Sequence, residues 1–209
     1  MTFTDKAIDG LRDKIKQRMS ARRFEHTAEV EKMAARLGEL YAPDKLDVLR
    51  VAALLHDVTK ELDTEAQLEL LKAYGESVRE EDAMSPKTLH ARTAALLVPD
   101  EFPEFASEEV LSAVRWHTTG RADMTLCDML IYLADYIDMS RKFTDCVMLR
   151  EYFWREDVQN MSFNERERHL WHTLVLSFDM TLSALVKEGA PISVDTLNAR
   201  NALILKLSK

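Results

Sequence analysis

Residues 51–60 read VAALLHDVTK. Apolar side chains at Val51, Ala52, Leu54 and Leu55 predict a buried helix, and that helix ends in the dipeptide His56-Asp57. Neighbouring positions on a helix point about 100° apart, so a polar pair at the end of so apolar a run does not simply face water. An isolated buried carboxylate is very costly, and Asp57 therefore needs a partner or a cation. Metal ligation satisfies both residues, histidine giving a neutral nitrogen and aspartate hard oxygens. Taken alone the dipeptide is weak evidence, because a helix-terminal aspartate beside a core histidine reads the same way.

The same helical period extends in both directions. Apolar residues recur at spacings of three and four nearly throughout, and five Gly and five Pro leave long uninterrupted runs. The pattern predicts helices over about 4–18, from a Ser20 cap to about Leu40, from Pro43-Asp44 through Leu55, and over about 64–73, ending at Gly75. Ser85-Pro86 starts a helix to about Val98, PDEFPEF reads as a turn, and Ser107 opens a helix that closes before Gly120. Residues 124–139, MTLCDMLIYLADYIDM, form the most apolar helix and are expected to cross the core. A long helix from about Asn164 ends at Gly189, and a last one covers about 195–207. With no repeat, linker or strand alternation, the expected fold is all-α, one helical bundle over 1–209 with a core of about 20–142 and a helical extension of about 145–209.

Other ligand-type residues repeat the pattern of residues 51–60. His26 lies in RRFEHTAEV, His90 in KTLHARTAALL and His117 at the end of EEVLSAVRWHTTG, each with apolar residues one or two turns away. Asp135 sits between Ala134 and Tyr136 in the apolar helix, where an unpaired carboxylate is costly unless an arginine or a metal neutralises it. Four histidines and two aspartates embedded in apolar helices are explained together by one shared metal centre. His169 and His172, at i and i+3 in ERERHLWHTL, would need carboxylates with them to form a second metal site, and they read as structural.

The ordered set His26, His56-Asp57 and Asp135 resembles the HD superfamily of metal-dependent phosphohydrolases, and the added His90 and His117 resemble its two-metal branch. RFEHT, LLHDVTK, LHARTAA, WHTTGRADMTLCDMLIYLADYIDMSR and ISVDTLNARN resemble the bacterial YqeK-like members, symmetrical diadenosine tetraphosphate hydrolases, over about residues 15–205. The resemblance implies an HD-domain helical bundle that cleaves diadenosine tetraphosphate to two ADP. It also implies that His26, His56, Asp57 and Asp135 hold one metal, and that Asp57 bridges to a second held by His90 and His117. Iron is the favoured ion, with manganese or another first-row divalent ion as alternatives. Asp57, Lys60 and Arg141 are the candidate catalytic residues. Arg23, Thr59, Lys60, Thr118, Thr119, Gly120 and Arg141 are the candidate substrate contacts, with Asp138 and Arg121 weaker ones. Trp116 and Tyr136 are able to stack on a base, although core packing reads better. HARTAA places the charged Arg92 near the site, and the tail TLNARN is expected to lean against it.

Two readings stay beside this one: an HD-type phosphatase for another small nucleotide, and a non-catalytic nucleotide-binding regulatory module. The net charge of −8 argues against a nucleic-acid partner, which needs a dense basic face, but not against a small anionic nucleotide. The N-terminus has no unbroken apolar core of a signal and no run reaches the length of a membrane span. Cys127 and Cys146 form no CxxC. A cytoplasmic protein without a membrane partner is expected, and homodimer formation is left open.

Overall fold

A computed structural model describes residues 2–78 and 80–209, with the side chains of Glu81 and Asp82 also outside the description. The described residues form helices joined by short turns, without a strand. In chain order these are α1 (Asp5–Arg18), α2 (Ala21–Tyr41), α3 (Leu46–Leu55), α4 (Thr64–Ala73), α5 (Glu80–Met84), α6 (Leu89–Glu101), α7 (Glu108–Trp116), α8 (Leu126–Ile137), α9 (Thr144–Arg155), α10 (Phe163–Glu188) and α11 (Val194–Leu207). The starts are set by side-chain oxygens that accept orphan backbone N–H groups. Thr4, Ser20, Asp63, Ser107, Thr125, Ser162 and Ser193 do this for α1, α2, α4, α7, α8, α10 and α11. Gly189, at φ +64°, ends α10 in the left-handed conformation that glycine adopts without strain.

α3 is the centre of the packing. It lies against α1, α2, α7 and α8, and Val48, Leu49 and every residue from Val51 to Leu55 are buried. Each fully buried Leu or Val contributes about 1.5–3 kcal/mol, so this ten-residue helix cannot shift without large cost. Glu31, itself buried, ties three helices together: it accepts two hydrogen bonds from Arg12 of α1, at 2.6 and 2.8 Å, and one from Arg50 of α3, at 3.0 Å. One apolar cluster runs from Phe3 to Leu203, with Phe153 of α9 and Phe178 of α10 fully buried in it.

Three differences from the sequence reading have local causes. α6 runs through Pro99 to Glu101, three residues into the segment read as a turn. Buried Phe102 then closes it with an N–H to the Val98 carbonyl at 2.8 Å, and a 3-10 turn follows over Pro103–Phe105. α9 was not expected, because it lacks a side-chain cap and a proline or glycine signal; it buries Cys146, Leu149 and Phe153. The short α5 was likewise not expected.

Candidate metal centre

α3 and α7 each stop on a histidine: His56 follows Leu55 and His117 follows Trp116 as the C-terminal capping positions. At a helix end the last carbonyls have no intrahelical partner, and each ring uses one. His56 Nδ1 donates to the Ala53 carbonyl at 2.6 Å, and His117 Nδ1 to the Val114 carbonyl at 2.7 Å. That tautomer leaves both Nε2 atoms as lone pairs facing inward. Between them lies Asp57, in the turn after α3 and 3% exposed. Its Oδ2 faces His56 Nε2 at 3.4 Å and His26 Nε2, from α2, at 3.6 Å. Its Oδ1 faces His90 Nε2, from α6, at 3.2 Å and His117 Nε2 at 4.0 Å. Asp135, near the end of α8, completes the first half, with Oδ1 2.9 Å from His26 Nε2 and 3.8 Å from His56 Nε2.

The six residues expected as ligands therefore converge, drawn from α2, the end of α3, α6, the end of α7 and α8. The donor set fits metal. His26 Nε2 and His56 Nε2 are buried and make no hydrogen bond, a costly condition for a polar nitrogen unless a further group binds it. Ligand atoms of His26, His56 and Asp57, and separately of Asp57, His90 and His117, lie within 4.8 Å of one another. The chain thus carries a His/Asp cluster with Asp57 common to both halves, of the type that binds divalent ions.

Charge states follow from the same packing. Burial alone raises the Asp57 carboxyl, but the facing His56 and His90 outweigh it and hold it well below the usual carboxylate range. Asp135 is held low in the same way, burial being overcome by Arg141 and His26. Burial lowers His90 and pushes His117 well below its ordinary value, so these rings stay neutral, the form that ligates. His26 goes the other way: burial lowers it, yet the facing carboxylates of Asp135 and Asp138 overcome that and raise it to about 9.

Cations rim the cluster. Arg23 Nη1 donates to Asp57 Oδ2 at 2.7 Å. Arg141 bonds the Asp135 carboxylate through Nη2 and its carbonyl through Nε at 2.6 Å. Lys60 Nζ lies 3.1 Å from His90 Nδ1. Thr118 is half-buried with Oγ1 3.4 Å from His90 Nε2, and half-buried Thr119 donates to the Gly120 carbonyl at 3.1 Å.

Two expected contacts are placed elsewhere. Thr59 is 1% exposed, and its hydroxyl bonds the His90 carbonyl at 2.9 Å and Thr93 at 2.7 Å. It supports His90 from behind and has no surface to offer a phosphate. Gly120 is buried at φ +65°, where an added Cβ meets Phe178 Cζ at 2.8 Å and Ala199 Cβ at 3.0 Å. Its lack of a side chain admits α10 and α11, not substrate. Arg92 also turns from the centre, bonding Glu76 at 2.9 Å and the Ser77 carbonyl at 2.7 Å. Arg121 pairs with Asp128 at 3.3 Å and lies over Trp116, and Tyr136 stacks on Tyr132. His169 is buried and bonds the Phe153 carbonyl at 3.0 Å, a packing role. The tail reaches this region through Ala199, against Gly120.

Residues 23–140, a span that contains all six convergent side chains, match the HD domain, and the chain belongs to the HD-domain family. Within it, the chain is similar to the bis(5'-nucleosyl)-tetraphosphatase, symmetrical, of Halalkalibacterium halodurans, at 30% identity over 194 residues, 92% of this chain and 94% of that one. The Bacillus subtilis protein of the same name is 30% identical over 190 residues, 91% of this chain and 94% of the relative. A crystal structure from Clostridium acetobutylicum, described as a predicted HD superfamily hydrolase involved in NAD metabolism, superposes with a TM-score of 0.80. It is 27% identical and covers 99% of this chain and 100% of its own.

Proposed function

We propose that this protein hydrolyses diadenosine tetraphosphate symmetrically to two ADP, with two metal ions held by His26, His56, Asp57, His90, His117 and Asp135. The observation that carries this reading is Asp57, whose two oxygens face two separate pairs of histidines. The similarity to proteins named symmetrical bis(5'-nucleosyl)-tetraphosphatase supplies the substrate. His26, His56, Asp57 and Asp135 form one ligand set; His90, His117 and the second oxygen of Asp57 form the other. Mixed nitrogen and carboxylate ligation suits iron, with manganese next.

Metal ions bound there supply Lewis-acid polarisation of phosphoryl oxygens and acidify water. The chain's own residues do the rest. Arg23, Lys60 and Arg141 place three cations around the cluster, where they bind and orient a polyphosphate and counter charge on the equatorial oxygens during phosphoryl transfer. Thr118 and Thr119 line the approach. Net cleavage breaks the P–O bond on the bridging oxygen between the second and third phosphorus atoms. Water oxygen joins one phosphorus, and the other ADP leaves with the bridging oxygen.

The unit that does this is proposed to be one HD domain, core about 20–142, with α9 to α11 as an extension; the apolar cluster from Phe3 to Leu203 crosses that division. No described helix is long and apolar enough to cross a membrane, and both cysteines are free and buried, which accords with work in a reducing cytoplasm. Purified protein is to be incubated with diadenosine tetraphosphate and iron, manganese or zinc in turn, and the products separated by chromatography. ADP alone is expected. AMP with ATP overturns symmetrical cleavage, and activity confined to a nucleoside monophosphate overturns the substrate.

A further inference from the structure

The four histidines of the centre are not tethered alike. A ring that offers one nitrogen to a metal needs its other nitrogen held, which fixes both tautomer and orientation. His56 and His117 use free carbonyls at the ends of their own helices, at 2.6 and 2.7 Å. His26 has no such carbonyl, because it lies inside α2, where the carbonyls one turn back already accept the helix's own N–H groups. Its Nδ1 points instead across the fold to the turn after α8, 3.1 Å from Ser140 Oγ and 3.4 Å from Asp138 Oδ2.

That turn is built around Asp138, which is fully buried. Its Oδ1 accepts the Ser140 N–H at 2.8 Å and also the Ser140 hydroxyl. Its Oδ2 makes no hydrogen bond and faces His26 Nδ1 and, also at 3.4 Å, Arg141 Nε. A buried carboxylate in this state is costly unless its partners answer its charge, and these two are the groups it faces. Arg150, from α9, clamps the turn from outside: it donates to the Asp138 carbonyl and, at 3.0 Å, to the Arg141 carbonyl.

We infer that Asp138, acting with Ser140 in a turn pinned by Arg150, is the positioning residue for His26, and that it governs ion affinity in the half of the centre held by His26, His56 and Asp135. The inference rests on the two-metal reading. It assigns α9 a purpose: the extension holds the turn that aims one ligand.

The test is a titration of metal-free protein with Mn2+, followed by calorimetry, on the parent chain and on Asp138→Ala, Asp138→Asn and Ser140→Ala, with melting temperature measured alongside. Two binding events are expected in the parent. Asp138→Ala should weaken one event by about 10- to 100-fold and spare the other, as loss of a ligand's supporting partner does elsewhere. Ser140→Ala should weaken the same event less. Asp138→Asn keeps the shape and one acceptor oxygen, and a loss of about 3- to 10-fold at that event is expected. It decides the matter if Asp138→Ala does not fold. In labelled protein, the nitrogen resonances of His26 should report a protonated Nδ1 in the parent, and its loss in the Asp138 variant that folds. Two unchanged events in a folded Asp138 variant overturn the inference while leaving the metal reading intact. Equal weakening of both events in step with a lowered melting temperature also overturns it, by showing a structural role. A parent chain that binds no ion overturns both together.

Discussion

Gly120→Ala should destabilise the protein by about 2–5 kcal/mol, a large loss for a single methyl group. Gly120 N–H donates to the Trp116 carbonyl at 2.9 Å, closing the turn that carries His117. It does so at φ +65°, where an L side chain costs about 1–2 kcal/mol. The added Cβ would lie 2.8 Å from Phe178 Cζ, 3.0 Å from Ala199 Cβ and 3.2 Å from Met124 Sδ. Phe178 is fully buried and Ala199 nearly so, so neither withdraws freely, and crowding of this type adds about 1–3 kcal/mol. Urea unfolding followed by far-UV circular dichroism measures the sum, with the m-value expected to stay unchanged. Phe178→Leu in the same chain removes the closest contact and should recover part of the loss. A Gly120→Ala protein within about 1 kcal/mol of the parent refutes the reasoning, because it would show that the turn and α10 rearrange at little cost.

Other outcomes test the centre and its surroundings. His56→Ala should lower bound metal in elemental analysis and reduce turnover of diadenosine tetraphosphate by at least about 100-fold; full metal content in that variant would count against His56 as a ligand. Chelation should abolish turnover yet leave the far-UV circular dichroism of the helices in place, because the apolar cluster from Phe3 to Leu203 needs no ion; loss of helix on chelation contradicts this. Burial pushes the Cys127 thiol up to about 12, so below that pH the protonated form dominates, and at pH 8 the thiolate fraction is about 10^-4. Native protein should then resist alkylation at Cys127 and react in urea, and rapid native labelling seen by peptide mass spectrometry refutes the burial argument. Arg92→Ala should leave kcat and KM unchanged, since its guanidinium serves Glu76 and Ser77; a shift in steady-state KM would place it back at the centre.

The His/Asp cluster was legible because residue type and surroundings conflict at each position. A histidine or aspartate inside an apolar helix demands an explanation, and one ion cluster explains His26, His56, Asp57, His90, His117 and Asp135 together. What was not legible is direction. Thr59 and Gly120 stand two and three residues beyond Asp57 and His117 in the chain, yet one is turned into the core behind His90 and the other faces α10 and α11. Adjacency along a sequence does not fix which face a turn residue shows. The role of Asp138 was hidden for a related reason: its partners come from α2 and α9, and no local spacing links 138 to 26 or 150. α9 itself escaped notice because its apolar spacing is broken by charges and no cap announces it. The helices that were read well, such as α8, combine a strong apolar face with a capping box, here Thr125 and Asp128.

The arrest of both α3 and α7 on a histidine of the cluster has an electrostatic consequence. A helix ends in partial negative charge, and here two such ends meet Asp57 and Asp135 at one cluster. That polarity favours a cation at the cluster, and it leaves the attraction of a polyphosphate to the rim cations Arg23, Lys60 and Arg141. Ions held in the cluster would offset that negative charge, so nucleotide is expected to bind more tightly to metal-loaded protein than to metal-free protein.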